Sequence, residues 1–322
     1  MARLLLHLGY PKTGTTTLQT SVFDVLHRAG HIRYLGMGGF HRDATPRRRT
    51  FFTTLNEALY LESDAAFAEA LPGLRKAYTD LIADLPGDGP VVLSNEHFLL
   101  SSWSSRQRDA RIFPSRTAPR LAQVFGDEAV SLLIGTRETA ALMRSMYVQR
   151  RSNKAHVNHD RIEGTLSDYV DHVCARRDFT AEMFEFDQNR ARYLAAFDNP
   201  PLLEIGLDEL ARDQRDTVLR LLRFMDLPDT AADALSFPLD HHNVKSKTGS
   251  GTVVENVPAF LRPVARSRLL SPLARRLARS GPLGRLRDTL IAPEEIPNLS
   301  PDQADAIRNA FPANARSARA TD

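Results

Sequence analysis

Leu4 to Gly9 is a short apolar run that stops at a glycine, the pattern of a strand buried on both faces. Beyond a Gly/Thr-rich stretch, Leu18, Val22, Val25, Leu26 and Ala29 recur at helical spacing, and Gly30 supplies a stop. The chain therefore opens with strand, loop, helix. Residues 31–55 carry many Gly and Arg and read as a loop, whereas 56–85 read as a helical stretch ending at Pro86-Gly87. Val91 to Ser94 is a second strand, followed directly by Asn95-Glu96-His97. A helix is predicted over 105–125, around Pro114 and Pro119, then a third strand over Ser131 to Gly135 and a helix from Thr139 to Arg150. Further helical stretches cover roughly 166–177 and 182–197. Leu202 to Ile205 is a fourth strand, and Arg215 to Met225 a helix with Leu219, Leu222 and Phe224 available for the core. Strands alternating with helices predict an α/β fold with a central parallel sheet flanked by helices in three layers. Such sheets bind ligands at the carboxyl ends of their strands.

Past residue 240 the pattern changes. His241 to Gly251 is a polar, Gly-containing loop, and Arg262 to Arg287 holds eight Arg and no acidic residue, interrupted by Pro263, Pro272, Gly281 and Pro282. Ser300-Pro301 marks a last helix start, and the tail beyond it is small, polar and expected to fray. These shifts divide the chain into a domain over 1–255 and an Arg-rich helical extension over 256–322, packed on or beside it.

Composition adds bounds. With 322 residues, 42% hydrophobic and 25% charged, the chain has the make-up of an ordinary globular protein. A net charge of +3 suits anionic ligands and gives no reason to expect nucleic acid. Cys174 is the only cysteine, so there is neither a disulfide framework nor a thiolate metal cluster, and a reducing cytoplasm is the expected home. The apolar run Leu4 to Leu8 is interrupted by His7 and is too short for a signal peptide. No stretch reaches the ~18 apolar residues of a membrane span.

The chemistry starts at Gly9-Tyr10-Pro11-Lys12-Thr13-Gly14-Thr15-Thr16-Thr17. Gly14 permits a turn that closes a concave nest of N–H groups at the start of a helix, a setting suited to an anion. Thr13, Thr15, Thr16 and Thr17 offer hydroxyls, and Lys12 a mobile cation. In the nucleotide-triphosphatase loop GxxxxGK[ST] the lysine follows the second glycine. Here Gly9 and Gly14 have that separation, but Thr15 stands in the lysine's place and the cation lies at position 12. A P-loop kinase or nucleotidase is thus disfavoured, although Glu96 could be argued for as its Mg²⁺ ligand.

Pro11 to Leu18 (PKTGTTTL) resembles the 5′-phosphosulfate-binding loop of sulfotransferases that use 3′-phosphoadenosine-5′-phosphosulfate (PAPS), especially the bacterial and carbohydrate-type branches. That resemblance implies a P-loop-like fold, PAPS as co-substrate, adenosine 3′,5′-bisphosphate (PAP) as product, and no metal. It also implies a second motif, an Arg at a strand end and a Ser eight residues on, which hold the 3′-phosphate; Arg137 and Ser145 have this spacing. The family often has Pro two residues after that Arg, where this chain has Thr139. Its Lys- and Gly-rich loop over the adenosine is matched loosely by Lys247 and Gly249. The family's general base falls after the second strand, where both Glu96 and His97 stand, Glu96 being favoured. Lys12 would neutralise charge on the leaving oxygen.

The implied acceptor is a hydroxyl or amine, a carbohydrate in the branch this loop resembles. Arg42, Arg47 to Arg49, Arg150, Arg151 and Lys154 could line a cleft for an anionic glycan. The leucines among the arginines of 262–287 would suit peripheral contact with the inner face of a membrane, where a lipid-linked sugar would be met, or simply a helical pair packing on the core. A non-catalytic PAP-binding module is the remaining alternative.

Overall fold

A computed structural model describes residues 3–36, 45–85, 87–103, 110–151, 164–239, 251–255 and 293–312. Five parallel strands form the central sheet: β1 (Arg3–Gly9), β2 (Arg33–Tyr34), β3 (Val91–Ser94), β6 (Ala129–Thr136) and β7 (Leu202–Gly206), in the order β2-β3-β1-β6-β7. Its register sets His7 beside Ser94 and Gly9 beside Gly135. The short strands β4 (Ser102–Trp103) and β5 (Arg111–Ile112) pair separately. The α/β fold with a parallel sheet is as expected.

Alternation along the strands creates the three layers. Leu4, Leu6 and Leu8 of β1, Val91 and Leu93 of β3, and Val130, Leu132 and Ile134 of β6 enter one buried cluster. Their neighbours Leu5, Val92 and Leu133 enter the other. Successive side chains of a strand point to opposite faces, so a wholly apolar strand needs a helical layer on each side. Each such leucine is worth ~1.5–3 kcal/mol on burial. One face is covered by α3 (Pro46–Leu59), α4 (Asp64–Ala83), α5 (Pro114–Phe125), α6 (Thr139–Arg151), α7 (Leu166–Cys174) and α8 (Phe186–Ala196). The other is covered by the helical segments after β1, including α2 (Asp24–Arg28), and by α10 (Gln214–Phe224).

Three stretches differ from expectation: in 105–125, read as a helix, Arg111–Ile112 is strand β5 and the helix begins at Pro114. Residues 31–55, read as a loop, contain β2 and most of α3. The Thr45 side chain accepts from the Arg48 N–H, Pro46 occupies the first turn, and Phe51, Phe52, Leu55, Ala58 and Leu59 are buried. The run of arginines on the outer side masks this apolar stripe in the sequence. The stretch 56–85 is broken at Tyr60–Ser63, where Ser63 caps α4. Arg120 of α5, fully buried, closes that break by donating to the carbonyls of Ala58, Leu59 and Leu61 and to Asp64.

Near the C-terminus β8 (Gly251–Glu255) pairs antiparallel with β9 (Pro293–Pro297), a pairing between distant segments that no local pattern announced. The helix Pro301–Ala310 starts at its Ser300 cap as expected, and Ile307 and Phe311 join the larger core cluster. Arg144 of α6 holds β9 by donating to the carbonyls of Ile296 and Pro297. Arg42, Lys154, Lys247, the arginine-rich run 262–287 and the tail past 312 lie outside the described residues.

Candidate active site

The carboxyl ends of β1, β3 and β6 are adjacent, so the loops that leave them meet. The first leads from β1 into the helix turn α1 (Thr15–Thr17). Lys12 and Gly14 there take φ of 68° and 82°, so the backbone turns sharply on both sides of Thr13. A Cβ on Gly14 would come within 3.1 Å of Leu207 and 3.2 Å of Leu210, so the position is restricted by space as well as by φ. Alternating left-handed residues before a helix produce the concave N–H arrangement that receives anions.

The four threonines divide into two pairs. Thr13 and Thr15 are buried, and both hydroxyls donate to the Tyr10 carbonyl, at 2.7 and 3.1 Å. Their hydroxyl hydrogens therefore tie the loop together. Thr16 and Thr17 follow Thr15 in the helix turn, Thr17 buried and Thr16 half-buried. The loop also approaches β6 closely: a Cβ on Gly135 would lie 2.8 Å from Thr13 Oγ1.

Arg137, just past the end of β6, reaches across and donates to the Lys12 carbonyl at 3.1 Å. The loop and the β6 end are thereby one unit. Burial lowers the pKa of Arg137. Burial likewise lowers that of Lys12, an effect opposed by Glu96 and reinforced by Arg137. Asp208 and Glu138 oppose the effect of burial on Arg137, as Glu96 does for Lys12. Ser145 lies eight residues after Arg137, half-buried on α6.

The loop after β3 supplies the acid. Asn95 is buried and caps the 3₁₀ turn Glu96–Phe98 by accepting from the His97 N–H at 3.0 Å. It also donates to Asn56 of α3 at 3.0 Å, so α3 braces this turn. Burial raises the Glu96 carboxyl above the ordinary range, and Lys12 opposes that shift. Lys12 and Glu96 thus lie near enough for each charge to act on the other's pKa. His97 stands half-exposed in the same turn.

His7 is enclosed below these loops, with Nδ1 2.7 Å from Ser94 Oγ, which also accepts from Gln19 at 2.9 Å. Burial drives its pKa down to about 3, so it is neutral. Among the described residues no group of three His, Cys, Asp or Glu is placed to hold a metal ion, and no helix is long and apolar enough to cross a membrane.

The structure brings Lys12, Glu96 and Arg137 together around the loop after β1. Sequence reasoning had not singled out Asn95, Asn56 or Gly135. Asn95, a cap type placed between a strand and a turn, carried a usable local signal. Asn56 and Gly135 matter only through contacts with distant segments.

An α/β sheet with a cationic loop of this geometry at its carboxyl edge is suited to phosphate- or sulfate-bearing ligands. Residues 3–248 match the sulfotransferase domain family, and the chain belongs to it. It is a PAPS-dependent sulfotransferase, PAPS being the co-substrate. No curated protein matches the chain. Among solved structures it is similar to a sulfotransferase from Alicyclobacillus acidocaldarius, at 16% identity over 85% of this chain and 93% of that one, with a TM-score of 0.44. It is also similar to a mouse sulfotransferase complexed with PAP, at 11% identity over 99% and 85% of the two chains and a TM-score of 0.45. A retinol dehydratase complexed with retinol and PAP gives 11% identity, 98% and 81% coverage and a TM-score of 0.42. The family assignment rests on the domain match.

Proposed function

We propose that Lys12, Glu96 and Arg137 carry the transfer of a sulfuryl group from PAPS to an acceptor hydroxyl or amine by in-line displacement. Support comes mainly from Lys12 and Glu96, whose charges act on one another across adjacent strand ends. Glu96, its carboxylate made more basic by burial, takes the proton from the acceptor as the acceptor oxygen or nitrogen bonds to sulfur. The bond from sulfur to the bridging oxygen breaks, PAP departs, and Lys12 neutralises the charge gathering on that oxygen. The N–H groups around Gly14, with the Thr16 and Thr17 hydroxyls, would hold the 5′-phosphate. Arg137 and Ser145 would grip the 3′-phosphate, the guanidinium by paired donors. Thr13 and Thr15 would keep the loop in shape through Tyr10. His97 is the second candidate for the base, and Lys247 would lie over the adenosine.

The acceptor is proposed to be a carbohydrate, on the likeness of PKTGTTTL to the carbohydrate-type loop, with a cytoplasmic setting. Residues 1–255 would form the sulfotransferase domain, and the rest would pack on it as Ile307 and Phe311 do. The family match sets aside the kinase and nucleotidase alternative.

Calorimetry with PAP against ATP and Mg²⁺ tests the site. PAP should bind more tightly, and Arg137→Ala should weaken PAP by ~1.5–3 kcal/mol, the scale of a lost charged hydrogen bond. Tighter ATP binding would sink the proposal. Transfer of labelled sulfate from PAPS to a panel of saccharides, steroids and phenols then identifies the acceptor class. PAP binding with no transfer to any of them, and no release of sulfate to water, would leave a binding module in place of an enzyme.

A further inference from the structure

The loop bearing Lys12 and the turn bearing Glu96 are joined by one helix that touches neither charge. Asn189 and Tyr193 of α8 stand one turn apart on its buried face, and both are fully buried. Asn189 Nδ2 donates to the Tyr10 hydroxyl at 3.0 Å and to the Glu182 carbonyl at 2.7 Å. Its Oδ1 accepts from Arg192 at 2.7 Å. The amide therefore cannot turn over without opposing its oxygen to Glu182 and its NH₂ to a guanidinium. Arg192 is itself fixed by Glu182 and Glu185, at 3.4 and 3.3 Å. The Tyr193 hydroxyl donates to the Phe98 carbonyl at 2.5 Å. Tyr10 precedes Lys12 by two residues, and Phe98 follows Glu96 by two in the 3₁₀ turn. The Tyr10 ring also packs on Phe186 of the same helix, with centroids 4.6 Å apart.

We propose that α8 is a spacer: Asn189 and Tyr193 are positioning residues that fix the separation of Lys12 from Glu96 through Tyr10 and Phe98. Hydrogen bonds at i and i+4 of one helix span about 6 Å along its axis and move as a rigid body. The two loops leave different strands, and without the helix each would relax independently. A misplacement of about 1 Å in such a pair costs on the order of 100-fold in rate, without a matching loss of binding.

This rests on the roles proposed for Lys12 and Glu96, and the experiment separates the two. The probe is PAPS alone with water as acceptor, read as release of labelled sulfate, so no acceptor need be known; PAPS and water yield PAP, sulfate and, with all groups ionised, two protons. Lys12→Ala and Glu96→Gln are the controls. Tyr193→Phe and Tyr10→Phe each delete one hydroxyl and keep the ring. Each should lower kcat about tenfold or more, while PAP affinity and the KM for PAPS stay within about twofold. Wild-type release no faster than that of Lys12→Ala would overturn the roles of the site residues and the spacer with them. If both controls lose activity while either folded tyrosine variant keeps kcat within twofold of wild type, the spacer alone is overturned. A parallel loss of PAP affinity and kcat would also overturn it, since that marks a collapsed loop and not a changed separation.

Discussion

Glu96 shows how one residue's surroundings suit it to the role of base proposed for it. A glutamate in water is a poor base near neutral pH because its proton affinity is too low. Burial raises that affinity here, and Lys12 keeps the shift in check. A group with a raised pKa becomes an effective base only as pH climbs through that raised value. The acid limb of kcat for sulfuryl transfer should therefore lie above the ordinary glutamate range. Removing the ammonium in Lys12→Met, while leaving burial intact, should move the limb further up and lower the rate. A pH profile of initial rates from about pH 4 to about pH 8 reads both effects; a limb at or below the ordinary glutamate value would remove Glu96 as the base. At this scale much was legible. Lys12, Gly14, Glu96 and Arg137 are visible as residues because the loop and strand-end patterns are local. Their mutual charge effects were not, because those depend on burial and on which strands are neighbours.

Among the elements, the loop after β1 is held from three directions: by its own threonines on the Tyr10 carbonyl, by Arg137 on the Lys12 carbonyl, and by the close approach of β6. The last explains a glycine that the strand pattern alone would fill with Val or Ile. Gly135→Ala would place a Cβ 2.8 Å from Thr13 Oγ1, whose hydroxyl is already committed. Overpacking of this kind costs ~1–3 kcal/mol. The variant should lose that much stability in urea denaturation and bind PAP more weakly. A variant with wild-type PAP affinity and stability would show that the loop yields without cost. The helix α3 carries the opposite lesson. Its Phe51, Phe52, Leu55, Ala58 and Leu59 stripe is present in the sequence, but neighbouring arginines gave the stretch the look of a loop. Propensity and polarity are weak priors beside a buried face.

Across the whole molecule, the same sheet that aligns the site also encloses His7. A histidine whose folded pKa lies near 3, against an ordinary 6.5, binds fewer protons folded than unfolded between those values. Its contribution is full above about pH 6.5 and is lost as pH falls toward about 3, at ~1.4 kcal/mol per pH unit. The protein should therefore lose stability on mild acidification. His7→Asn keeps a hydrogen-bonding group toward Ser94 without a titrating ring, and should show a shallower fall in urea midpoint between about pH 7 and about pH 5. An equal fall in both proteins would remove His7 as the cause. The C-terminal helix belongs to this scale too, since Ile307 and Phe311 complete a core built chiefly by residues before 200.

By itself the sequence determined the strand-loop-helix opening, the parallel α/β fold and the residue types of the proposed anion site. Each of these is written in short-range periodicity or in a single loop. Only the tertiary structure decided which strand ends are neighbours, and so that the charges of Lys12 and Glu96 act on one another and the Lys12 carbonyl is tied to Arg137. It also decided that Thr13 and Thr15 turn inward, that β8 pairs with β9, and that Asn189 and Tyr193 reach both loops. These are contacts between residues far apart in the chain, set by strand order and by the packing of helices on the sheet. No local pattern encodes them, because what fixes each is the shape and chemistry of the partner that folding brings to it.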